Sequence, residues 1–159
     1  MVFSLAACGG GSSETPAPET TTPAETAPAE TASATDMKVA MITDYGDITD
    51  QSFNQTTYEA CKEFCDAQGL QFEYYKPQGD STPERVAMVD AAVADGYNVI
   101  VMPGYAFAET IKQTAELYPD VTFIALDVAQ ADLDPNNEGY TLPSNVYCAV
   151  YQEELCGYM

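Results

Sequence analysis

Five short strand-like runs, separated by stretches of helical periodicity, constrain this chain more than any other feature. Lys38 to Asp44 reads as the first strand, its Val39, Ala40, Met41 and Ile42 suiting a strand covered on both faces. Leu70 to Tyr75 alternates apolar and polar residues as a half-buried strand does. Asn98 to Met102, Val121 to Leu126 and Asn145 to Val150 supply three more. Ser52 and Gln55 have the form of a capping box, which starts a helix near Ser52 that Gly69 stops. Thr82-Pro83 opens a second helix, with Val86, Val89 and Val93 recurring until Gly96. A third runs from about Ala106 to Tyr118 with Ala108, Ile111, Ala115 and Tyr118 as its apolar stripe, and another begins at Gln152. Strands alternating with helices of this length predict an α/β fold: a doubly wound parallel sheet with right-handed crossovers and strand order 2-1-3-4-5.

The amino-terminal part has a different character. Residues 9–37 are built almost wholly from Thr, Ala, Pro, Glu, Ser and Gly, a composition that buries too little apolar surface to offset its ordering entropy. They read as a disordered tether, spanning roughly 30 Å as a flexible coil. Before them, residues 1–8 end in Leu5-Ala6-Ala7-Cys8, small residues leading to a cysteine. This resembles the lipobox of bacterial lipoproteins and reads as a truncated signal peptide, with Cys8 as the lipidation site and a spacer behind it. Residues 38–159 form one α/β lobe, and the last residues read as the first turns of a further helix.

The formal charge of -20, from 25 acidic and 5 basic residues without histidine, excludes several function classes. An acidic surface repels phosphate backbones, so nucleic acid is not an expected partner. No nucleophile–base pair is evident, and no GxGxxG or P-loop is present, so neither catalysis nor a cofactor is expected. Zinc is disfavoured because the chain lacks histidine and any CxxC pair. Asp132-Leu133-Asp134-Pro135-Asn136 begins like a calcium loop, but Asn137 and Pro143 stand at the positions that need glycine and an acid, so no metal is expected. Cys61 and Cys65 share a helical face with Phe53, Thr57, Ala60 and Phe64 and read as buried small hydrophobes; a bridge involving Cys148 or Cys156 stays open.

Thr43 to Gln55 is the chemically richest stretch, holding a glycine turn, three acids, an aromatic ring and an amide just after the first strand. In a parallel sheet Asp44, Gly104 and Asp127 all fall at the carboxyl ends of strands, where ligands bind in open α/β sheets. Phe53 and Asn54 lie beside the same edge. Carboxylates accept hydrogen bonds from vicinal hydroxyls or ring N–H groups, phenylalanine offers a stacking face, and asparagine donates and accepts. The set suits a neutral, planar, hydroxylated ligand. On pattern alone, Asp44 and Asp127 serve equally as helix caps, Phe53 as a core residue and Gly104 as a turn. Asp47 and Asp50 read as solvent-facing.

The run TDYGDITDQSFNQ resembles the signature of the basic membrane protein family of substrate-binding lipoproteins, which includes purine nucleoside receptors serving ABC importers. VIVMPGYAF, YPDVTFIALD and NVYCAVYQEELCGYM are similar to that family in order and spacing, so the resemblance covers Lys38 to Met159. It implies a type I periplasmic-binding-protein fold whose two lobes close on a ligand, this chain being the amino-terminal lobe alone. By motif position it implies that Asp44 and Asn54 read the base, Phe53 stacks on it and Asp127 accepts the ribose hydroxyls. It further implies an extracytoplasmic, lipid-anchored protein at the cell membrane that hands its solute to an ABC permease. The same fold binding a sugar, a flavin-like compound or a signalling molecule is the alternative.

Overall fold

The computed structural model describes residues 36–152 and Gly157; the Leu5-Ala6-Ala7-Cys8 run, nearly all of the tether and Cys156 lie outside the described residues. In chain order the elements are β1 (Lys38–Ile42), α1 (Phe53–Gln68), β2 (Gln71–Tyr75), α2 (Thr82–Ala94) and β3 (Val99–Pro103). A 3-10 turn (Tyr105–Phe107) then leads into α3 (Ala108–Thr114), β4 (Thr122–Leu126), α4 (Gln130–Leu133) and β5 (Val146–Ala149). The strands form one sheet in the order β2-β1-β3-β4-β5. All four pairings are parallel.

Period-2 alternation divides the core between two faces. Ala40, Ile42, Ile100, Met102, Phe123 and Ala125 pack under α2, α3 and α4, against Val89, Phe107, Ile111 and Leu133. The opposite face turns Val39 and Val101 toward Cys65 of α1. Met37 packs against that second cluster, and Asn98 Nδ2 donates to the Asp36 carbonyl, so the strand-proximal end of the tether is joined to the sheet. Here α1 covers only part of the sheet. A groove of about 440 Å³ runs beside it, lined by Cys61, Phe64, Val99, Val101 and Ile124 among others.

Helix phase accounts for the main departures from expectation. In α1 the buried residues are Asn54, Thr57 and Cys65, whereas Phe64 is 53% exposed and Ala60 is exposed on the flank that borders the groove. Of the face expected to hold Phe53, Thr57, Ala60, Cys61, Phe64 and Cys65, the Thr57 and Cys65 side is buried and the Ala60 and Phe64 side is not. Ser52 stands at the N-cap of α1 but makes no side-chain cap bond. Instead Asp50 Oδ1 accepts from both Ser52 N (2.8 Å) and Gln55 N (3.2 Å), and Gln55 Oε1 accepts from Gln51 N. A carboxylate competes better than a hydroxyl for two converging amides. At α2 the cap is Ser81 rather than Thr82, its Oγ accepting from Glu84 N. The residues buried on that helix are Arg85, Val89 and Ala92. Asn145 Nδ2 points at the carbonyls of Ala115, Tyr118 and Val121, tying the end of the α3 segment to β4 and β5.

Candidate functional site

Every strand runs the same way, so the residues that follow them share the carboxyl edge. Gly104 follows β3 directly and donates its N–H to the Leu126 carbonyl (2.8 Å); Asp127 follows β4 and donates to the Ala149 carbonyl (2.7 Å). These bonds extend the ladder one step past the strands and set Gly104 and Asp127 side by side. Asp44 lies two residues beyond β1, on the other side of β3. Two strand spacings separate β1 from β4, about 10 Å.

The loop after β1 folds around the Asp44 carboxylate. Its Oδ1 accepts from the amides of Tyr45 (2.6 Å) and Gly46 (2.7 Å) and from Asn54 Nδ2 (3.0 Å). Its Oδ2 accepts nothing among the described residues. Asp44 therefore organises the loop with one oxygen and keeps the other available. Partial burial opposes its ionisation, but the Gly46 and Tyr45 amides, the Asn54 amide and the Arg85 charge outweigh it, and the carboxyl titrates below its ordinary range.

Asn54, 6% exposed, sits between two acids: its Nδ2 donates to Asp44 Oδ1 and to Asp50 Oδ2, both at 3.0 Å. Ionised carboxylates only accept, which fixes the amide orientation. Both Nδ2 hydrogens are thereby engaged within the loop. The buried Oδ1 has no partner among the described residues. Asn54 thus retains an acceptor and no donor, a narrower chemistry than the sequence implies for it. Gly46 is what admits this arrangement: a Cβ there would lie 2.5 Å from Asn54 Nδ2 and 3.1 Å from Asp44 Oδ1.

Phe53, the first residue of α1, is half-buried and meets the Tyr151 ring edge-on at a centroid distance of 5.8 Å. Gly104 adopts φ 115°, ψ 149°, a conformation closed to other residues, and no atom lies within 4 Å of the Cβ it lacks. Its requirement is conformational rather than steric. Asp127 takes φ 59° without being glycine, and its carboxylate accepts no hydrogen bond among the described residues. Left-handed backbone at a side chain with no local partner is an arrangement that clusters at ligand sites.

Other acids do structural work. Asp47 pairs with Lys76 at 3.1 Å on the surface. Asp134 accepts from the amides of Glu138, Gly139 and Tyr140, so the stretch that begins like a calcium loop is closed by its own backbone. Sequence reasoning missed three contributors: Asp50 as the second acceptor for Asn54, Gly46 as the space for that contact, and Arg85. The only warning of Arg85 was an arginine in phase with Val89 on an otherwise apolar helix stripe.

A family model for ABC transporter substrate-binding proteins of the PnrA-like type, Bmp, matches residues 37–159. The chain belongs to the Bmp family. An uncharacterised lipoprotein from Pyrococcus abyssi is 25% identical over 127 residues, 80% of this chain and 28% of its own length. The nucleoside-binding protein BmpA of an ABC transporter of Lactococcus lactis subsp. cremoris is 27% identical over 97 residues, 58% of this chain and 27% of its length. Among solved structures, an ABC transporter solute-binding protein from Conexibacter woesei superposes with a TM-score of 0.61 at 28% identity, covering 77% of this chain and 37% of that one. This Bmp chain spans about a third or less of the length of the curated relatives it matches. Its described sheet is that of one lobe of a substrate-binding protein, and the family is a transport component that binds substrates.

Proposed function

We propose that residues 38–159 are the amino-terminal lobe of an extracytoplasmic solute-binding lipoprotein that captures a purine nucleoside for an ABC importer. The observation that carries this reading is the carboxyl edge: among the described residues Asp44 Oδ2, the Asp127 carboxylate and the buried Asn54 Oδ1 accept no hydrogen bond, and Phe53 precedes Asn54 at the start of α1. Three acceptors suit a ligand rich in N–H and O–H donors, and a nucleoside brings ring or exocyclic N–H groups at one end and ribose hydroxyls at the other. Asp44 and Asn54 would take the base, Phe53 would stack on it, Asp127 would take the ribose hydroxyls, and Gly104 would let the backbone approach. The name of the Lactococcus relative supports the ligand class, and that of the Pyrococcus relative supports a lipid anchor at Cys8, after a tether formed by residues 9–37. A second lobe would supply the opposite wall, and an ABC permease would receive the solute at the cell membrane.

Calorimetric titration of protein carrying both lobes with guanosine, adenosine, inosine, cytidine, ribose and riboflavin tests the reading. Purine nucleosides are expected to bind most tightly; their failure alongside binding of another class would replace the ligand and keep the fold.

A further inference from the structure

We propose that Arg85 is a positioning residue of the candidate site, its guanidinium joining the loops after β1, β2 and β3 into one rim and fixing Asp44 within it. The proposal deepens the reading of Asp44 as a ligand contact and rests on it. Arg85 is the chain's one arginine, and it is buried, with 7% of its side chain exposed, whereas Lys62, Lys76 and Lys112 make their ion pairs at the surface. From the first turns of α2, its Nη1 donates to Asp80 Oδ1 (2.7 Å) in the loop after β2 and reaches the Asp44 carbonyl after β1 at a longer 3.4 Å. Its Cζ stands 5.8 Å from the centroid of Phe107, in the 3-10 turn that follows Gly104. Three loops from three strands thus meet on one planar group.

Stability alone is a poor account of this arrangement. Burying a guanidinium beside an exposed carboxylate gains little over an apolar side chain of similar volume. The buried Nε has no partner among the described residues, which forfeits a donor. What the planar guanidinium supplies is geometry: Nη1 alone donates to both oxygens while the delocalised group lies by the Phe107 ring, a contact that lysine's shorter reach and compact point charge do not reproduce. The beneficiary is Asp44, the rim residue whose carbonyl Nη1 contacts. The charges around it are few: Asp50 on its own loop, reached through Asn54, Asp80 across the guanidinium, and the outlying Asp47–Lys76 pair.

Arg85→Lys and Arg85→Met in the 159-residue chain test the proposal by amide hydrogen exchange at Tyr45 and Gly46 and by NMR titration of the Asp44 carboxyl. Both variants are expected to speed exchange at Gly46 by about tenfold or more. Only Arg85→Met is expected to move the Asp44 titration up toward the ordinary carboxylate range, because lysine keeps the charge while losing the planar contact with Phe107. Should Arg85→Met fail to fold, Arg85→Lys and Asp80→Asn carry the test through Gly46 exchange. Unchanged Gly46 exchange in folded Arg85→Lys and Asp80→Asn overturns the proposal. In protein carrying both lobes, Arg85→Lys should weaken guanosine binding about tenfold with its melting temperature nearly kept. If unmodified protein does not bind guanosine, the ligand assignment fails while the exchange data still decide the role of Arg85.

Discussion

Asn54 Nδ2 lies 3.0 Å from Asp44 Oδ1, so two side chains that the family resemblance assigns to separate ligand contacts are first contacts to each other. The same nitrogen reaches Asp50 Oδ2 at 3.0 Å, and the amide is all that separates two carboxylates held on one loop.

Replacing that amide by an acid should therefore be worse than removing it. In Asn54→Asp three carboxylates converge, one of them buried, and the variant should lose about 3 kcal/mol or more of stability at pH 7. Asn54→Ala should lose less, about 1–3 kcal/mol, because it leaves the Asp44 oxygen and its two backbone amides in place. Chemical denaturation of both variants at pH 7 and pH 4 checks the order. The Asn54→Asp penalty should shrink at pH 4 as carboxyls protonate; a penalty independent of pH would show that the amide acts by shape and not by separating charge.

Acid stability follows from the same loop. Burial opposes ionisation of Asp44 and Asp50, yet donated hydrogen bonds prevail and both carboxyls titrate below 3.8; at Asp134 the Glu138, Gly139 and Tyr140 amides act in the same direction. A carboxyl depressed on folding stabilises the fold above its unfolded pKa, and that contribution disappears as pH falls through the lower, folded value. Urea midpoints should hold between pH 7 and 5 and drop below about pH 4. At the alkaline end the sign reverses. Burial and the Asp95 carboxylate push the Tyr75 phenol above 10, so its contribution is complete below pH 10 and is lost as pH rises past the folded value. An acid limb that stays flat to pH 2 would remove the loop carboxylates from the stability account.

Cysteine reactivity separates β5 from α1. Cys61, Cys65 and Cys148 carry free thiols, Cys65 is buried, and burial with the neighbouring Cys65 pushes Cys61 up to about 11. Among these three, an aromatic disulfide reagent at pH 8 should label exposed Cys148 first, with Cys61 and Cys65 reacting after unfolding. Peptide mapping of the labelled protein reads the order. Rapid native labelling of Cys61 would show that the groove it lines beside α1 admits the reagent.

Strand order was legible in the sequence because the first three apolar runs are each bounded by a turn residue and followed by a helical pattern; between β4 and β5 the sequence reads as a polar loop, and only the four-residue α4 forms there. Asp44, Gly104 and Asp127 could be placed on one edge for the same reason: parallel strands leave a residue just past each strand no other edge to occupy. Phase within α1 was legible only in part. Thr57, Cys61 and Cys65 were expected to share a buried face with Phe53, Ala60 and Phe64; Thr57 and Cys65 are buried, Ala60 and Phe64 are exposed, and the choice is made by contact with Val39 and Val101, which are distant in sequence. The N-cap of α1 is Ser52, where the sequence placed it, but its capping-box bonds are not made. Ser52 and Gln55 carry the pattern, and Asp50, two residues before Ser52, brings a charged oxygen to the same amides. Arg85 belongs to this class as well, since its partners lie 5 and 41 residues away.

Asp127 allows structure and function to be pulled apart in one residue. At φ 59° an Asp is less at ease than a glycine, which has no Cβ to crowd the backbone. Asp127→Gly should therefore keep the lobe's stability or raise it by up to about 1 kcal/mol, while removing the carboxylate proposed to hold the ribose. Asp127→Ala removes the same carboxylate but keeps the crowding, so it confounds the two effects. In protein carrying both lobes, Asp127→Gly should weaken purine nucleoside binding by roughly 1.5–3 kcal/mol, the range for a hydrogen bond to a charged group. Denaturation and calorimetry on the one variant give both numbers. Lost stability with unchanged affinity would return Asp127 to a purely structural role at the end of β4, and gained stability with lost affinity is the pattern expected of a residue kept for its ligand.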